Sequence, residues 1–405
     1  MKISGRYLLI LIGMSGMIAA SVGLTTNVAG LFFSPIATEF GILTGSVSLT
    51  LTICNIVFAL GGLAAPKLLS EERLKMLLVT GTALIAGSTA LLGLSPNIFV
   101  MYVLNAARGF AGGVLGFVLV TMVINHWFHA NVGLATSIAM SCSGLAGALF
   151  SPIISSVIEK SGWRTGYLFV AVVMIILNLP AILFLPSLDP KTKNMVPLGE
   201  KEEATTAAKN TENKTEATMP IVKGLFAMAI VYAFLSCGAT ALPQHFPGIA
   251  GSYGMTASVG AMMLSICMVA NSLGKIVLGA LSDKFGSQIS LFLYCALIIV
   301  AVVVLWLVHL PFAMYIGAAL YGLTYALGTV GVVMVTKDTF GMANYSKTYP
   351  TISLAGTLAN AVFSSLIGFM YDISGNYATT LLMIFVMLVL CTLIVATVYK
   401  RKTVS

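Results

Sequence analysis

Charge is what this chain lacks most. Asp, Glu, Lys and Arg together make up 8% of its 405 residues, while 58% are hydrophobic. A soluble domain carries roughly a quarter charged residues on its surface. This surface must therefore face something other than water, and a lipid-facing helix bundle satisfies that demand. Cysteine is also sparse. The six cysteines (Cys54, Cys142, Cys237, Cys267, Cys295, Cys391) all lie inside apolar stretches, which argues against a disulfide framework or a metal cluster. No HExxH, CxxC, P-loop or GxSxG pattern occurs. No catalytic residue, metal or cofactor is expected, and an enzyme is disfavoured.

Long apolar runs are abundant. A bilayer core of about 30 Å takes about 20 apolar residues per helix. Runs of that kind cover 7–33, 43–66, 74–94, 97–124, 132–158 and 165–186, then 221–244, 256–281, 287–308, 312–335, 347–371 and 377–399. The expected fold class is an all-α membrane protein of twelve transmembrane helices. The first run follows Lys2 and Arg6 but is too long for a signal peptide, so it reads as the first helix. Residues 187–220 are rich in Lys, Glu, Thr and Asn and cannot bury a core. The expected organisation is an N-terminal six-helix bundle (1–186), a flexible cytoplasmic linker (187–220), a C-terminal six-helix bundle (221–400) and a tail (401–405).

Basic residues set the orientation. With both termini in the cytoplasm, Lys160 and Arg164 fall outside and Arg108 and Lys275 fall within spans, which leaves 17 of the 21 basic residues inside. The net charge of +8 is then a topology signal, with no nucleic-acid partner implied. The expected location is a bacterial cytoplasmic membrane, with the lipid bilayer as partner and a single copy as the functional unit.

The two halves repeat each other. Phe150-Ser151-Pro152-Ile153-Ile154 recurs as Phe363-Ser364-Ser365-Leu366-Ile367, a shift of 213 residues. The same shift carries Glu159-Lys160-Ser161-Gly162 onto Asp372-Ile373-Ser374-Gly375, Phe40-Gly41 onto Tyr253-Gly254, and Arg108-Gly109 onto Tyr321-Gly322. With an even number of spans per half, the repeats are parallel.

These residues resemble the major facilitator superfamily. Gly279-Ala280-Leu281-Ser282-Asp283-Lys284-Phe285-Gly286 is similar to its cytoplasmic loop signature; in the first-half copy Pro66 stands in place of the acid. Arg108-Gly109 resembles a second superfamily motif. Ser34-Pro35-Ile36 with Glu39-Phe40-Gly41, Trp127-Phe128 with Gly133-Leu134-Ala135, Ser161-Gly162-Trp163-Arg164, and Gly274-Lys275 with Gly279 resemble the monocarboxylate and oxalate/formate branch. The resemblance implies a cavity between the halves, lined by spans 1, 2, 4, 5, 7, 8, 10 and 11, and transport by rocking of the halves. It also implies a cytoplasmic gate at Gly279, Asp283, Lys284 and Gly286. The branch places a substrate-binding cation at the position of Lys275.

All 13 acidic residues fall in loops or at span ends, whereas two cations sit near mid-depth. Arg108 lies about 16 Å from the outer edge, and Lys275 about 12 Å from the cytoplasmic edge, at 1.5 Å per residue. A cation there costs about 3 kcal/mol or more unless it faces a polar cavity or a partner. An anionic substrate in a hydrated cavity would supply the missing charge. Lys275 and Arg108 are thus candidate substrate-binding residues, although Arg108 has a purely structural alternative as a donor to backbone carbonyls. Asn271, one turn before Lys275, stands where proton-coupled carriers of the branch have aspartate, and cannot take up a proton. Asn27, Tyr321 and Tyr325 are further candidates; the two tyrosines are four apart and would share a helix face. Asn360 reads in the same way. His245 reads as an exposed loop residue, with a pH-sensitive gate as the alternative. The glycine cluster Gly109, Gly112, Gly113 and Gly116 fits close helix approach.

The leading expectation is a carrier for a small organic anion, a monocarboxylate, by exchange or facilitated movement. Efflux of a hydrophobic drug or metabolite is the transport alternative. A transport-inactive membrane sensor is the alternative from another class.

Overall fold

The computed structural model describes residues 5–129, 132–185, 187–193, 195–199 and 222–402. Among these residues every regular element is helical; the one β-bridge joins Phe128 and Leu198. Lipid offers no partner to backbone N–H and C=O groups, so a spanning segment must satisfy them internally, and a helix does so.

Eleven described segments are long and apolar enough to cross a membrane. We number the spans α1 (Gly5–Asn27), α2 (Thr44–Leu68), α3 (Leu74–Leu92) and α4 (Ile98–Trp127). The next segment, Leu134–Phe184, has 51 residues, about twice what one crossing needs. It is broken at Gly162, whose φ of 80° no helix accommodates, so it holds two spans: α5 (132–161) and α6 (163–184). The second half supplies α7 (Lys223–Ser252), α8 (Ala257–Phe285), α9 (Ser287–Leu307), α10 (Pro311–Gly341), α11 (Lys347–Ser374) and α12 (Ala378–Lys402). Twelve spans result among the described residues, as the apolar runs predict.

The internal repeat is visible in the backbone. Gly41 (φ 62°) and Gly254 (φ 71°) are 213 residues apart, as are Gly162 (φ 80°) and Gly375 (φ 70°). Left-handed conformations at these turns favour glycine because a Cβ would clash with the backbone. The repeat therefore preserves the turns that aim the helices, as well as the matched stretches within them.

Four spans depart from regular α geometry, among them α7, which tightens to a 3-10 turn at Leu242–His245. Residues Ala19–Asn27 of α1 and Leu327–Gly331 of α10 are π-helical, and α4 breaks at Gly116 (φ −83°, ψ −138°). Wide turns of this kind leave carbonyls without their usual intrahelical partner and tend to mark functional positions.

The start of the segment expected as a flexible linker is held in place. The Glu71 carboxylate accepts from the backbone N–H groups of Leu188 (3.0 Å) and Asp189 (2.6 Å). Trp127 Nε1 donates to Ser187 O at 3.0 Å, and Tyr7 Oη donates to Val196 O at 2.6 Å. These contacts gather the ends of α1, α4 and α6 on one face of the bundle, called here the terminal face. Residues 194 and 200–220 of that segment, and 403–405 of the expected tail, lie outside the described residues.

Candidate functional site

The two halves meet along two antiparallel seams, α2 with α11 and α5 with α8. In the second seam, Ser265 Oγ donates to Ala148 O (2.5 Å) and Ser272 Oγ to Ser141 O (3.2 Å). Between the halves lies a cavity of about 640 Å³. Its walls come from α1, α2, α4, α5, α7, α8, α10 and α11, the eight spans expected from the sequence.

The cavity is one-sided. On α2 it is lined from Leu51 to Leu63, and on α11 from Tyr349 to Ser364, positions running from mid-depth towards the terminal face. The opposite face is closed. Asp372, near the end of α11, accepts from Thr44 N (3.0 Å) and Gly45 N (2.7 Å) at the start of α2. Gln244 of α7 reaches into the other half, where its Oε1 accepts from Gly30 N at 3.1 Å. Its Nε2 donates to Asn27 O at 3.4 Å.

Four of the six predicted binding residues line this cavity: Asn27, Asn271, Lys275 and Tyr325. Lys275 makes no hydrogen bond or ion pair with another described residue, and none of the described lining residues is acidic. Asn271 is 3% exposed and its Oδ1 has no partner. Asn27 is anchored by Nδ2 donating to Ser143 O at 3.0 Å.

Arg108 and Tyr321 stand elsewhere. Arg108 is 3% exposed, and its Nη2 donates to Leu24 O at 2.7 Å, inside the π-helical stretch of α1. Its Nε has no partner. In this geometry Arg108 ties α4 to a backbone carbonyl of the π-helical stretch of α1, the structural alternative expected from the sequence. Tyr321 is fully buried and donates to Ala239 O at 2.8 Å. It does not share the cavity face with Tyr325, because the α10 helix is interrupted at Gly322–Leu323, which breaks the four-residue phase.

The cytoplasmic-gate residues lie on the terminal face. Asp283 and Lys284 are in the last turn of α8, and Gly286 turns the chain into α9 with φ 84°. Asp283 makes no hydrogen bond or ion pair to another described residue, and Lys284 Nζ lies 5.2 Å from the Phe285 ring centre. Gly279 has no neighbouring atom within van der Waals reach of an added Cβ.

Two of the quoted loop motifs prove to be one structural unit. Glu39 accepts from both Trp163 Nε1 and the Arg164 guanidinium, and Phe40 packs edge-on to Trp163 at 5.8 Å. The Arg164 and Trp163 hydrogen bonds hold the Glu39 carboxyl below the usual glutamate range.

His245 is not an exposed loop residue. It is 1% exposed, its Nε2 bonds to Ser364 O (2.9 Å), and its ring sits between Phe33 (5.4 Å) and Tyr377 (6.2 Å). Gln244, Asn55 and Thr240, which nothing in the sequence pattern singles out as binding residues, also line the cavity. Asn55 and Gln244 are the single amides of α2 and α7, a weak signal, and Thr240 carries none.

The Major Facilitator Superfamily model matches residues 14–340 and 228–404. The chain belongs to the Major Facilitator Superfamily. It is 24% identical over 361 residues to the multidrug resistance protein MdtG of Salmonella schwarzengrund, covering 83% of this chain and 84% of that one. The crystal structure of the nucleoside transporter NupG has a TM-score of 0.72 at 13% identity, covering 96% of this chain and 100% of that chain. That of a D-xylose–proton symporter has a TM-score of 0.70 at 15% identity, covering 96% of each. At these identities the structural likeness shows the fold. The chain is a multi-pass membrane transporter of small solutes, with the all-helical superfamily fold.

Proposed function

We propose that this transporter carries a small organic anion, a monocarboxylate, across the cytoplasmic membrane by alternating access. The observation that carries the reading is Lys275: a cation without a described partner, on a cavity wall with no acidic residue among those described. An unpaired cation near mid-depth is costly. A bound carboxylate removes that cost, and the same attraction gives the site its preference for anions. One cation on the wall suits one carboxylate better than two. Asn271 lies one turn from Lys275 on the same cavity wall. Because Asn271 cannot ionise, proton symport through that position is disfavoured, and exchange or facilitated movement follows.

The terminal face is taken as cytoplasmic, since 17 of the 21 basic residues fall there. The cavity is then inward-open. Residues 1–186 and 221–400 would be the two bodies that rock about the central site, and Asp283 with its loop would engage the opposite half when the outward-open state forms. The functional unit would be a single copy.

The test is uptake of labelled formate, acetate, lactate, pyruvate and oxalate into proteoliposomes, with and without internal anion and a pH gradient. Saturable uptake of a monocarboxylate that disappears in Lys275→Met supports the reading. Uptake indifferent to that substitution sinks it. A second reading, efflux of a hydrophobic solute, is favoured by the relative named as a multidrug resistance protein and by cavity walls that include Leu51, Phe58, Leu63 and Phe117.

A further inference from the structure

Antiparallel helices α2 and α11 cross the boundary between the halves and carry a ladder of contacts. Its outermost rung is the Asp372 carboxylate on the N–H groups of Thr44 and Gly45. Next, Gly368 lies so close to Gly45 and Ser48 that a Cβ on it would sit 2.8 Å from Gly45 Cα. Then Thr52 Oγ1 meets Ala361 O and Ser365 Oγ, both at 2.6 Å. The innermost rung is Asn55 Nδ2 donating to Asn360 Oδ1 at 3.3 Å. Beyond it the helices part, and Ala59 and Gly356 already line the cavity.

This last rung differs in kind from the others. Asn55 and Asn360 both line the cavity, whereas Thr52, Ser365 and Asp372 do not. Its bond is longer than the usual 2.7–3.2 Å range for N–H···O. A primary amide offers two donors and two acceptor sites, so a single long bond leaves capacity facing the solute. Asn360 is also oriented: its Nδ2 donates to Thr240 Oγ1 at 2.8 Å, and Thr240 Oγ1 donates to Cys237 O at 2.5 Å. A polar atom at this end of the cavity can exchange better bonds with the two amides than they exchange with each other. Each bond it takes is lost from the seam that closes the outer face. A ligand moves a conformational equilibrium only through such a difference in contacts between the states.

We infer that Asn55 and Asn360 are substrate-reading residues: an uncharged hydroxyl or carbonyl of the bound solute replaces their mutual hydrogen bond and so releases the α2–α11 seam. The inference rests on Lys275 holding the solute's carboxylate, and it adds a second, neutral contact point that selects hydroxy- and oxo-acids over unsubstituted ones.

The test uses the full chain with Ser48→Cys, because Ser48 is fully buried inside the closed seam. Reaction of position 48 with a membrane-impermeant maleimide then reports outer opening. Uptake KM and labelling with and without lactate are compared for Asn55→Ala, Asn360→Ala and Asp372→Asn. In the two Asn variants, KM for lactate should rise about threefold to tenfold, as expected for one lost neutral hydrogen bond. KM for acetate should be unchanged, and the lactate-dependent gain in labelling should vanish. Asn55→Ser and Asn360→Ser, which keep a hydrogen-bonding group, should recover part of the affinity. Asp372→Asn should raise labelling without lactate. An equal KM rise for lactate and acetate, or an unchanged lactate-dependent gain, overturns the inference. Uptake of formate or acetate with neither lactate nor pyruvate overturns it too, while leaving the reading of Lys275 standing. No uptake of any carboxylate overturns that reading, and this inference with it.

Discussion

Replacing Lys275 by Met should abolish anion uptake and, at the same time, make the empty protein more stable. The ammonium lines the cavity with no hydrogen-bonding or ionic partner among the described residues. A charge near the bilayer centre costs about 3 kcal/mol or more. Water in the cavity offsets part of that cost, which leaves a gain of about 1–3 kcal/mol when the charge is removed. Met keeps the length of the Lys stem and adds no polar group, so packing of the stem is preserved. The assay is thermal unfolding of purified wild type and Lys275→Met in detergent, without substrate, alongside uptake in liposomes. The midpoint should move up in the variant, and addition of the transported anion should raise the midpoint of wild type only. Lys275→Arg keeps the charge but changes its geometry, so it should retain weakened uptake with little change in stability. A variant that loses uptake and also unfolds more easily would refute the reasoning. Lys275 would then be supporting the fold.

Other perturbations separate the remaining polar groups. Arg108→Leu should stabilise the empty protein less than Lys275→Met does, by about 1–3 kcal/mol, because it removes a buried charge but also strands the Leu24 carbonyl that Arg108 Nη2 satisfies at 2.7 Å; unfolding in detergent checks this. Asp372→Asn keeps one acceptor but loses the charge facing two N–H groups at a helix start, a change of about 1–2 kcal/mol in the balance between closed and open outer face. That corresponds to about fivefold to thirtyfold in population, since about 1.4 kcal/mol is tenfold, and double electron–electron resonance between outer loop ends would read it. The Arg164–Trp163–Glu39 unit should be pH-sensitive on the acid side: hydrogen bonds depress the Glu39 pKa, so its stabilising contribution is full at neutral pH and is lost as pH falls through the depressed folded value. Unfolding midpoints of wild type and Glu39→Gln measured down the acid range should converge at low pH.

The fold was legible in the sequence because lipid is a simple solvent. Each span announces itself by length and apolarity alone, and a charge deficit of this size leaves few other architectures. The turns were legible for a related reason: Gly41, Gly162, Gly254 and Gly375 hold left-handed backbone that few other residues adopt, so the 213-residue shift survives there. The site was legible only where a residue type was out of place. Lys275 stands out in an apolar helix on cost alone. Asn55, Thr240 and Gln244 do not, because a lone amide or hydroxyl in a span can satisfy itself on the helix backbone.

What the sequence determined by itself was the solvent, the number of crossings and the pairing of the halves, since these depend on one-dimensional spacing of apolar, basic and glycine residues. What only the tertiary structure decided was which polar group faces which. Arg108 and Lys275 carry the same charge at similar depth, yet one is turned onto a carbonyl of the π-helical stretch of α1 and the other onto the cavity. Tyr321 and Tyr325 are one turn apart, yet a break in α10 sends them to different partners. The closure of one face by Asp372, Thr52 and Asn55 joins residues more than 300 positions apart. Side-chain direction depends on helix rotation, breaks in helix phase and contact between distant segments, and none of these is written in the local pattern of residues.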